Sequence, residues 1–371
     1  MLLICGEYAI IKAMFVPKYT ITNSILRNIG VVDASREVIL NAPLIPAWEV
    51  KFRRDALDRS VHHGTRLEGN PLTEEEVKDV LDGKDVFAKD RDIQEVINYR
   101  NVLKFIDEIA QRIGPGQPYL LTLETLIEIH RLVTDRIVPE EYSARFRTRQ
   151  VVLKNSKTGQ VSYTPPPAAE VPFLVEDLIN WINSNEAREL HPVIKAGIIH
   201  YELSRIHPFV EGNGRTARAL ATLVMFLDGY DIRKFFSLEE YFDEYPMDYY
   251  LTLQSVSNQP VMDSSERDLT PWLEYFVKAV AVELYRVKER VKRISADSHV
   301  KDRLGEQIEL NERQMVIMEF LHRHGSMQNK DFRKIFPDYS DDTVLRELKF
   351  LKQKGLVKKV GGTKKASYVL K

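Results

Sequence analysis

Residues His207 to Arg218 read HPFVEGNGRTAR and are the most informative segment of the sequence. Before it, residues 192–206 are strongly apolar and predict a helix. Gly212 and Gly214 tolerate positive φ, so successive backbone N–H groups around them can face one concave nest. After it, residues 215–227 predict a second helix, whose N-terminal amides and dipole favour an anion. The pattern therefore predicts an anion-binding turn between two buried helices.

The charged residues of this turn suit phosphoryl-type transfer. Arg215 and Arg218 are three residues apart, so they share one helix face near the same anion. Glu211 is an oxygen ligand of the kind that Mg²⁺ uses together with phosphate oxygens. His207 is a base that titrates near neutral pH. A glycine-rich turn between helices is common and a lone histidine is usually structural, but two arginines and a glutamate around Gly-Asn-Gly favour a functional site.

These residues resemble the signature of the Fic family, His-Pro-Phe-x-Asp/Glu-Gly-Asn-Gly-Arg-x-x-Arg, and match every specified position. The resemblance extends over about residues 47–256. It includes a predicted hairpin at residues 150–163, which resembles the family's flap, and the pair Tyr249 and Tyr250. It implies a mainly α fold: a Fic helical core with a small β-hairpin flap. The flap would align a target segment as an added edge strand.

The resemblance implies a protein adenylyltransferase that moves AMP from ATP to a Ser, Thr or Tyr hydroxyl of a target protein. His207 would take the hydroxyl proton, and Glu211 would hold Mg²⁺ between the α- and β-phosphates. Arg215 would contact the β-phosphate and Arg218 the γ-phosphate. Tyr250 would line the adenine side, with a core role as the alternative. The implied ATP-binding residues are Gly212, Asn213, Gly214, Arg215, Arg218 and Tyr250. UTP or GTP remains an alternative nucleotide.

A second match lies upstream, where residues 65–70 read TRLEGN. It resembles the inhibitory helix of the family, Ser/Thr-x-x-x-Glu-Gly/Asn, in which the glutamate pairs with the second arginine of the signature. Here Glu68 would compete with the γ-phosphate for Arg218. Gly64 stands where the pattern has a hydroxyl, and Thr65 is one residue away. The alternative is that Glu68 belongs only to a helix end with Gly69 as its C-cap.

Four regions are predicted along the chain: an N-terminal helical region with the inhibitory motif (1–114), the catalytic core (115–260), a helical connector (261–309) and a C-terminal domain (310–371). Thr73 and Glu76 predict a capping box that starts a helix. Further predicted elements are helices at 47–60, 90–112, 122–137, 171–183 and 271–294, and hairpin strands at 150–152 and 160–163.

The C-terminal domain has the element order of a winged helix-turn-helix: three helices, the third capped by Ser340, and two strands around a glycine turn. Residues 346–371 contain nine Lys/Arg and one acid, a formal charge of +8, which leaves −9 for the rest because the whole chain is −1. DNA binding through Thr343, Arg346 and Lys349 is one expectation, and protein binding or self-association is the other. A nucleotide-sensing transcriptional regulator built on a Fic core is therefore the alternative function.

Composition places limits on the class of protein. With 44% apolar and 29% charged residues among 371, the chain has the profile of a soluble globular protein. Its one cysteine, Cys5, excludes an internal disulfide and predicts a cytoplasmic location. No membrane span or secretory signal is predicted, and Met14 is an alternative start. No zinc-site spacing occurs. A homodimer and the identity of the target protein stay open.

Overall fold

The computed structural model describes residues 15–44, 46–154, 159, 161–260, 266–304, 310–337, 339–361 and 367–371. Expectations that concern residues 1–14, the hairpin turn at 155–158 and Gly362 lie outside these residues. The chain forms two compact units, Met1–Lys292 and Arg293–Lys371. Helix α12 begins in the first unit and ends in the second. The finer division at 114, 260 and 309 stays a prediction.

The described part of the first unit is mainly α-helical, with one two-stranded antiparallel sheet, β1 and β2. Its helices are α1 (Asn23–Asn41), α2 (Pro46–Arg66), α3 (Glu74–Leu81), α4 (Asp90–Ile113), α5 (Leu123–Thr134), α6 (Val171–Ile182), α7 (Asn185–Glu189), α8 (Pro192–Ile206), α9 (Asn213–Leu227), α10 (Leu238–Glu244), α11 (Pro246–Ser257) and α12 (Thr270–Leu304). The mainly α fold with a small hairpin, as predicted, is confirmed.

The centre of the first unit is the pair α8 and α9, which pack against each other, and α4 and α5 pack on α9. Both central helices are buried on nearly every side: Ile198, Leu203, Leu220 and Val224 are completely inaccessible to solvent. A helix that is apolar all round belongs in a core. The turn between α8 and α9 therefore joins two buried helices at the centre of this unit.

Helix α2 packs against α3, α4 and α10. It continues to Arg66, six residues beyond the predicted end. A contact from α10 holds this last part of the helix: the His63 ring lies 2.7 Å from the Asp243 carboxylate. The extension carries the chain to Glu68, which lies in the turn directly after the helix.

Local sequence signals account for several helix starts. Thr73 and Glu76 form the predicted capping box at α3, since each side chain bonds the other's backbone N–H. Predicted helices 192–206, 171–183 and 90–112 agree with α8, α6 and α4 to within one residue. No helix in the described ranges is long and apolar enough to cross a membrane.

The hairpin differs from its prediction. Strand β1 is Leu153–Lys154 and not 150–152, whereas β2, Val161–Tyr163, overlaps the predicted second strand. The register pairs Leu153 with Tyr163 and Lys154 with Val161, with an irregularity between the two pairs. Residues 150–152 lie outside the strand, and the Gln150 side-chain amide donates to the Pro165 carbonyl at 2.9 Å.

The second unit contains α13 (Glu312–His324), β3 (Met327–Gln328), α14 (Asn329–Ile335), α15 (Asp341–Gln353), β4 (Val357–Val360) and β5 (Ser367–Leu370). Its antiparallel sheet has the order β3-β5-β4, and β3 was missing from the sequence prediction. Ser340 caps α15 as predicted. Ile317, Leu321, Leu348 and Leu351 form a core of its own. The winged helix-turn-helix assignment stays a prediction.

Candidate active site

The turn from α8 to α9 is fixed by two left-handed residues. His207 ends α8 with φ 51°, and its N–H donates to the Leu203 carbonyl at 3.0 Å. Gly212 precedes α9 with φ 80°. A Cβ at Gly212 would lie 2.9 Å from Val133, so the close approach also requires glycine. The prediction that positive φ occurs in this turn is correct at Gly212; Gly214 lies inside α9 and has a different role, described below.

Asn213 closes the turn on itself. Its side-chain amide donates to the Phe209 carbonyl at 2.9 Å and accepts from the Phe209 N–H at 2.9 Å. These two bonds engage the Asn213 side chain in holding the loop. The groups that could donate hydrogen bonds to an anion here are therefore the backbone amides at the start of α9. Asn213 therefore holds the loop in place and does not itself face the predicted anion site.

His130 on α5 is a supporting residue that sequence reasoning missed. Its Nδ1 accepts from the Ala144 N–H at 3.1 Å, so the proton lies on Nε2, which donates to the Glu211 carbonyl at 3.0 Å. The ring stacks on Phe209 with 3.6 Å between centroids. Burial lowers the pKa of His130 to about 4, so it stays neutral. No local motif marks this histidine, because its partners lie far away in the sequence.

His207 has the protonation state of a base. Its Nδ1 lies 3.4 Å from the Ser204 carbonyl, which favours a proton on Nδ1 and leaves Nε2 as the acceptor. Burial lowers the pKa of His207 to about 4, although the Ser204 carbonyl and the charge of Glu68 act in the opposite direction. The imidazole is therefore neutral at physiological pH and able to accept a proton.

Glu68 lies in the predicted anion site, next to Arg218. Arg218 is buried, and its Nη2 donates to Glu68 Oε1 and to the Gly64 carbonyl, both at 2.9 Å. A Cβ at Gly214 would lie 2.3 Å from the same Oε1, so the carboxylate rests against the start of α9. Burial alone would raise the pKa of Glu68, but Arg218 and Arg215 outweigh it and hold that pKa below its usual value. The Glu68 carboxylate thus lies where the sequence predicts that an anion binds.

Arg215 is the second cation of the site and is also buried. Its Nη1 is 3.8 Å from Glu95 and its Nη2 is 3.8 Å from Glu211, which are loose ion pairs. Among the described residues, its Nε and Nη1 have no hydrogen-bond partner. Buried donors without partners are costly, so this guanidinium is suited to an incoming anion.

Glu211 lies at the edge of the cradle with about a third of its side chain exposed. It forms an ion pair with Arg91, which comes from the start of α4. No group of three or more His, Cys, Asp or Glu side chains that could hold a metal occurs in the part of the chain that the structure describes. A single accessible carboxylate next to a phosphate site nevertheless fits Mg²⁺, which keeps waters and takes its remaining ligands from the substrate.

Tyr250 on α11 lies beside the turn that carries Glu68. Its hydroxyl donates to the Leu67 carbonyl at 2.9 Å, and the residue is 43% exposed.

The structure thus brings every predicted site residue to one place. The residues that line or support the same turn are His207, Glu211, Gly212, Asn213, Gly214, Arg215, Arg218, Tyr250 and Glu68. The adenine contact of Tyr250 stays a prediction.

Comparison with known proteins agrees with this geometry. Residues 120–225 match the model of the Fic/DOC family. Over 187 residues, the chain is 30% identical to a protein named protein adenylyltransferase Fic from Drosophila mojavensis and 29% identical to that from Drosophila grimshawi. Each match covers 48% of this chain, but only 34% and 35% of the two relatives. The chain therefore matches about a third of the length of these relatives.

Solved structures show the same fold. A Fic family protein from Desulfovibrio desulfuricans G20 superposes with a TM-score of 0.64 at 22% identity, covering 96% of this chain and 98% of that one. A Fic domain containing signalling protein from Bacteroides thetaiotaomicron gives 0.59 at 23% identity, with 76% and 99% covered. Fic-1 from C. elegans gives 0.57 at 23%, with 72% and 73% covered. With the complete signature on the turn between α8 and α9, residues 120–225 of this chain match the Fic/DOC family.

Proposed function

We propose that this protein is an adenylyltransferase that moves AMP from ATP to a Ser, Thr or Tyr hydroxyl of a target protein, and that Glu68 inhibits it. The observation that carries the proposal is the ion pair between Glu68 and Arg218 at 2.9 Å. A carboxylate that is held by a buried guanidinium and rests against the start of a helix marks the place where a phosphate would bind. The names of the curated relatives support the reaction class.

The reaction requires a base, an anion cradle and a way to neutralise charge. The target hydroxyl oxygen attacks the α-phosphorus, its proton passes to His207, and the bond to the bridging oxygen breaks to release diphosphate. Arg215 and the amides at the start of α9 would bind the phosphates. When bound, Mg²⁺ supplies positive charge to the phosphate oxygens, and Glu211 would hold it.

Inhibition follows from competition for one guanidinium. Arg218 has Glu68 and the Gly64 carbonyl as acceptors on Nη2, so a γ-phosphate that needs the same donor must displace the carboxylate. Glu68 lies in a turn after α2 and not inside a helix, so it can leave without unwinding a helical turn. Relief of inhibition therefore requires movement of a short segment only.

The test is labelling with ATP that carries its label on the α-phosphate. Glu68→Gly should raise labelling of the protein itself and of lysate proteins, which mass spectrometry would identify. Glu68→Gln, which keeps the shape and removes the charge, should act in the same direction. Glu75→Gly, at an exposed glutamate on α3, is the matched control and should change nothing. Equal labelling by the parent and Glu68→Gly would remove the inhibitory role.

A second variant tests the base. In the Glu68→Gly background, His207→Ala should abolish labelling while ATP binding, measured by calorimetry, survives. Persistent labelling would remove His207 as the base. The same assay with UTP and GTP labelled on the α-phosphate decides the nucleotide.

The alternative function is a nucleotide-sensing regulator that binds DNA through residues 310–371. The observation in its favour is the separate compact unit, on which Arg346 and Lys349 are exposed on α15. A sensor needs no base, so DNA binding that responds to ATP equally in the parent and in His207→Ala would support the regulator. Thr343 is half-buried and completes the predicted DNA-contacting set.

A further inference from the structure

Arg147 is a buried arginine between the hairpin and the turn that carries His207. The residue is 2% exposed, although it lies in a segment without regular secondary structure. Its Nε donates to the His207 carbonyl at 2.8 Å, and its backbone N–H donates to the Pro208 carbonyl at 2.8 Å. Its Nη2 reaches the Pro166 carbonyl at 2.5 Å and the Ile206 carbonyl at 3.4 Å.

The remaining terminal nitrogen, Nη1, donates to the Arg149 carbonyl at 3.3 Å. All of these acceptors are main-chain carbonyls. Burying a guanidinium without compensation is costly, and here the charge is compensated by carbonyl dipoles. The five N–H groups of arginine are fixed in one plane, so a single side chain can hold several carbonyls at set positions. Lysine has one terminal nitrogen and cannot span them.

The acceptors belong to two segments that the sequence separates. Ile206, His207 and Pro208 form the end of α8 and the start of the catalytic turn. Arg149 precedes strand β1 and Pro166 follows strand β2, so these two carbonyls mark both ends of the hairpin. One guanidinium therefore holds both ends of the hairpin against the backbone of His207.

A second hydrogen bond also joins the hairpin to the end of α8. Tyr163 at the end of β2 donates its hydroxyl to the Arg205 carbonyl on the last turn of α8 at 2.8 Å. The hairpin is thus attached to the α8 end through both the Arg147 guanidinium and the Tyr163 hydroxyl. In contrast, the hydrogen bonds of Arg147 described above do not involve Arg215, Arg218 or Glu211, the charged side chains around the predicted phosphate site.

We propose that Arg147 is a positioning residue that sets the hairpin at a fixed distance from His207. A target segment aligned on the hairpin then presents its hydroxyl to the imidazole. This role depends on the proposed transfer reaction. Loss of Arg147 should therefore impair transfer to protein hydroxyls and leave ATP binding unchanged.

The first experiment uses the full chain with Glu68→Gly and compares Arg147→Gln with Arg145→Gln, an exposed arginine two residues earlier. With ATP labelled on the α-phosphate, Arg147→Gln should lower the labelling rate by about tenfold or more while KM for ATP stays within about twofold. Arg145→Gln should label like the Glu68→Gly parent. Equal rates for both arginine variants would overturn the proposal. No labelling by the Glu68→Gly parent would instead refute the transferase function.

The second experiment measures the distance directly and needs no activity. Cys5, the single cysteine, is replaced by serine, and nitroxide labels are attached to cysteines at two exposed positions, Val161 on the hairpin and Val210 on the turn. Double electron–electron resonance should give a narrow distance distribution for the parent and for Arg145→Gln. Arg147→Gln should broaden it. Distributions of equal width would overturn the proposal even if activity had fallen.

A third variant separates charge from geometry and covers the case in which Arg147→Gln does not fold. Arg147→Lys keeps the buried charge and has only one donor nitrogen. It should lose transfer and broaden the distance distribution as Arg147→Gln does. Parental behaviour of Arg147→Lys in both experiments would overturn the role of the guanidinium.

Discussion

Gly64 accepts a hydrogen bond from Arg218 with its carbonyl, and it lies so close to Tyr99 that it has no room for a side chain. A Cβ at this position would lie 2.3 Å from the Tyr99 ring, and the Gly64 carbonyl accepts from Arg218 at 2.9 Å. The neighbouring Thr65 hydroxyl donates to the Val61 carbonyl of its own helix at 2.8 Å. Thr65 therefore does not replace the hydroxyl that the family pattern has at position 64, and Tyr99 fills that space.

We predict that Gly64→Ala shifts the end of α2 away from Arg218, because the added methyl group collides with a ring that is itself fixed by Glu239 at 2.7 Å. Overpacking of this kind costs about 1–3 kcal/mol. The thermal midpoint should fall, and labelling by the protein should rise, though less than with Glu68→Gly. Adding Tyr99→Leu makes room and should bring labelling back toward the parental level, whereas the thermal midpoint should stay low because the buried Glu239 loses the Tyr99 hydroxyl. Unchanged stability and labelling in Gly64→Ala would contradict the packing argument.

His207 gives a prediction about pH. Burial lowers its pKa to about 4, compared with about 6.5 for a free histidine. A base works only when unprotonated, so its active form is present above the lowered pKa and is lost as pH falls through it. In the Glu68→Gly variant, kcat/KM should stay constant between about pH 8 and 6 and decline only below about 5. A decline centred near 6.5 would show that the imidazole is not held in its neutral form.

Among the elements, helix α4 connects the turn that carries Glu68 with Glu211, the candidate ligand of Mg²⁺. Asn70, two residues after Glu68, donates to Glu95 at 3.0 Å. Glu95 also accepts from Arg91 at 3.3 Å, and Arg91 pairs with Glu211. One helix therefore links the segment that carries Glu68 to the carboxylate that would hold Mg²⁺, and Arg91 competes with any cation there.

We predict that Arg91→Ala strengthens divalent-cation binding in the presence of ATP. Arg91 is 53% exposed, so its ion pair is worth at most about 1 kcal/mol, and the Kd for Mn²⁺ should fall by about fivefold or less. Electron paramagnetic resonance of free Mn²⁺ measures this without turnover. Arg100→Ala on the same helix is the control. A weaker or unchanged Mn²⁺ affinity in Arg91→Ala would show that Arg91 does not compete for Glu211.

At the scale of the whole molecule, the chain combines a helical unit that holds the candidate active site with a second unit that has its own core. The second unit contains the basic end of the chain. Arg346 and Lys349 are exposed on α15, whereas the basic residues of the active site are buried. The two sets of cations are therefore available to different partners.

If the second unit binds DNA, the full-length Arg346→Ala/Lys349→Ala variant should bind labelled duplex DNA more weakly than the parent. Each lost phosphate contact should reduce the slope of log K against log salt by about 0.9. Lys104→Ala, an exposed lysine of the first unit, should leave the slope unchanged. Absence of DNA binding by the parent even at low salt would leave a protein partner or self-association for this unit.

Features that depend on neighbouring residues could be predicted from the sequence. The two glycines around Asn213, the apolar runs of α8 and α9 and the Thr73 capping box all act within a few positions of the chain, so pattern and propensity predict them. The limits of α2 and β1 were predicted less well. Both limits lie beside contacts with residues elsewhere in the chain: His63 lies next to the Asp243 carboxylate, and the Gln150 side chain donates to the Pro165 main-chain carbonyl.

The contacts between distant groups at the site, in contrast, depend on how the helices pack in three dimensions. Glu68 and Arg218 are 150 positions apart, and the signature alone does not place His130, Arg91 or Arg147 around the turn. Local sequence carries no record of such contacts, because they arise when the helices pack. Burial then sets the chemistry: the same packing that lowers the pKa of His207 leaves donors of Arg215 without a partner among the described residues.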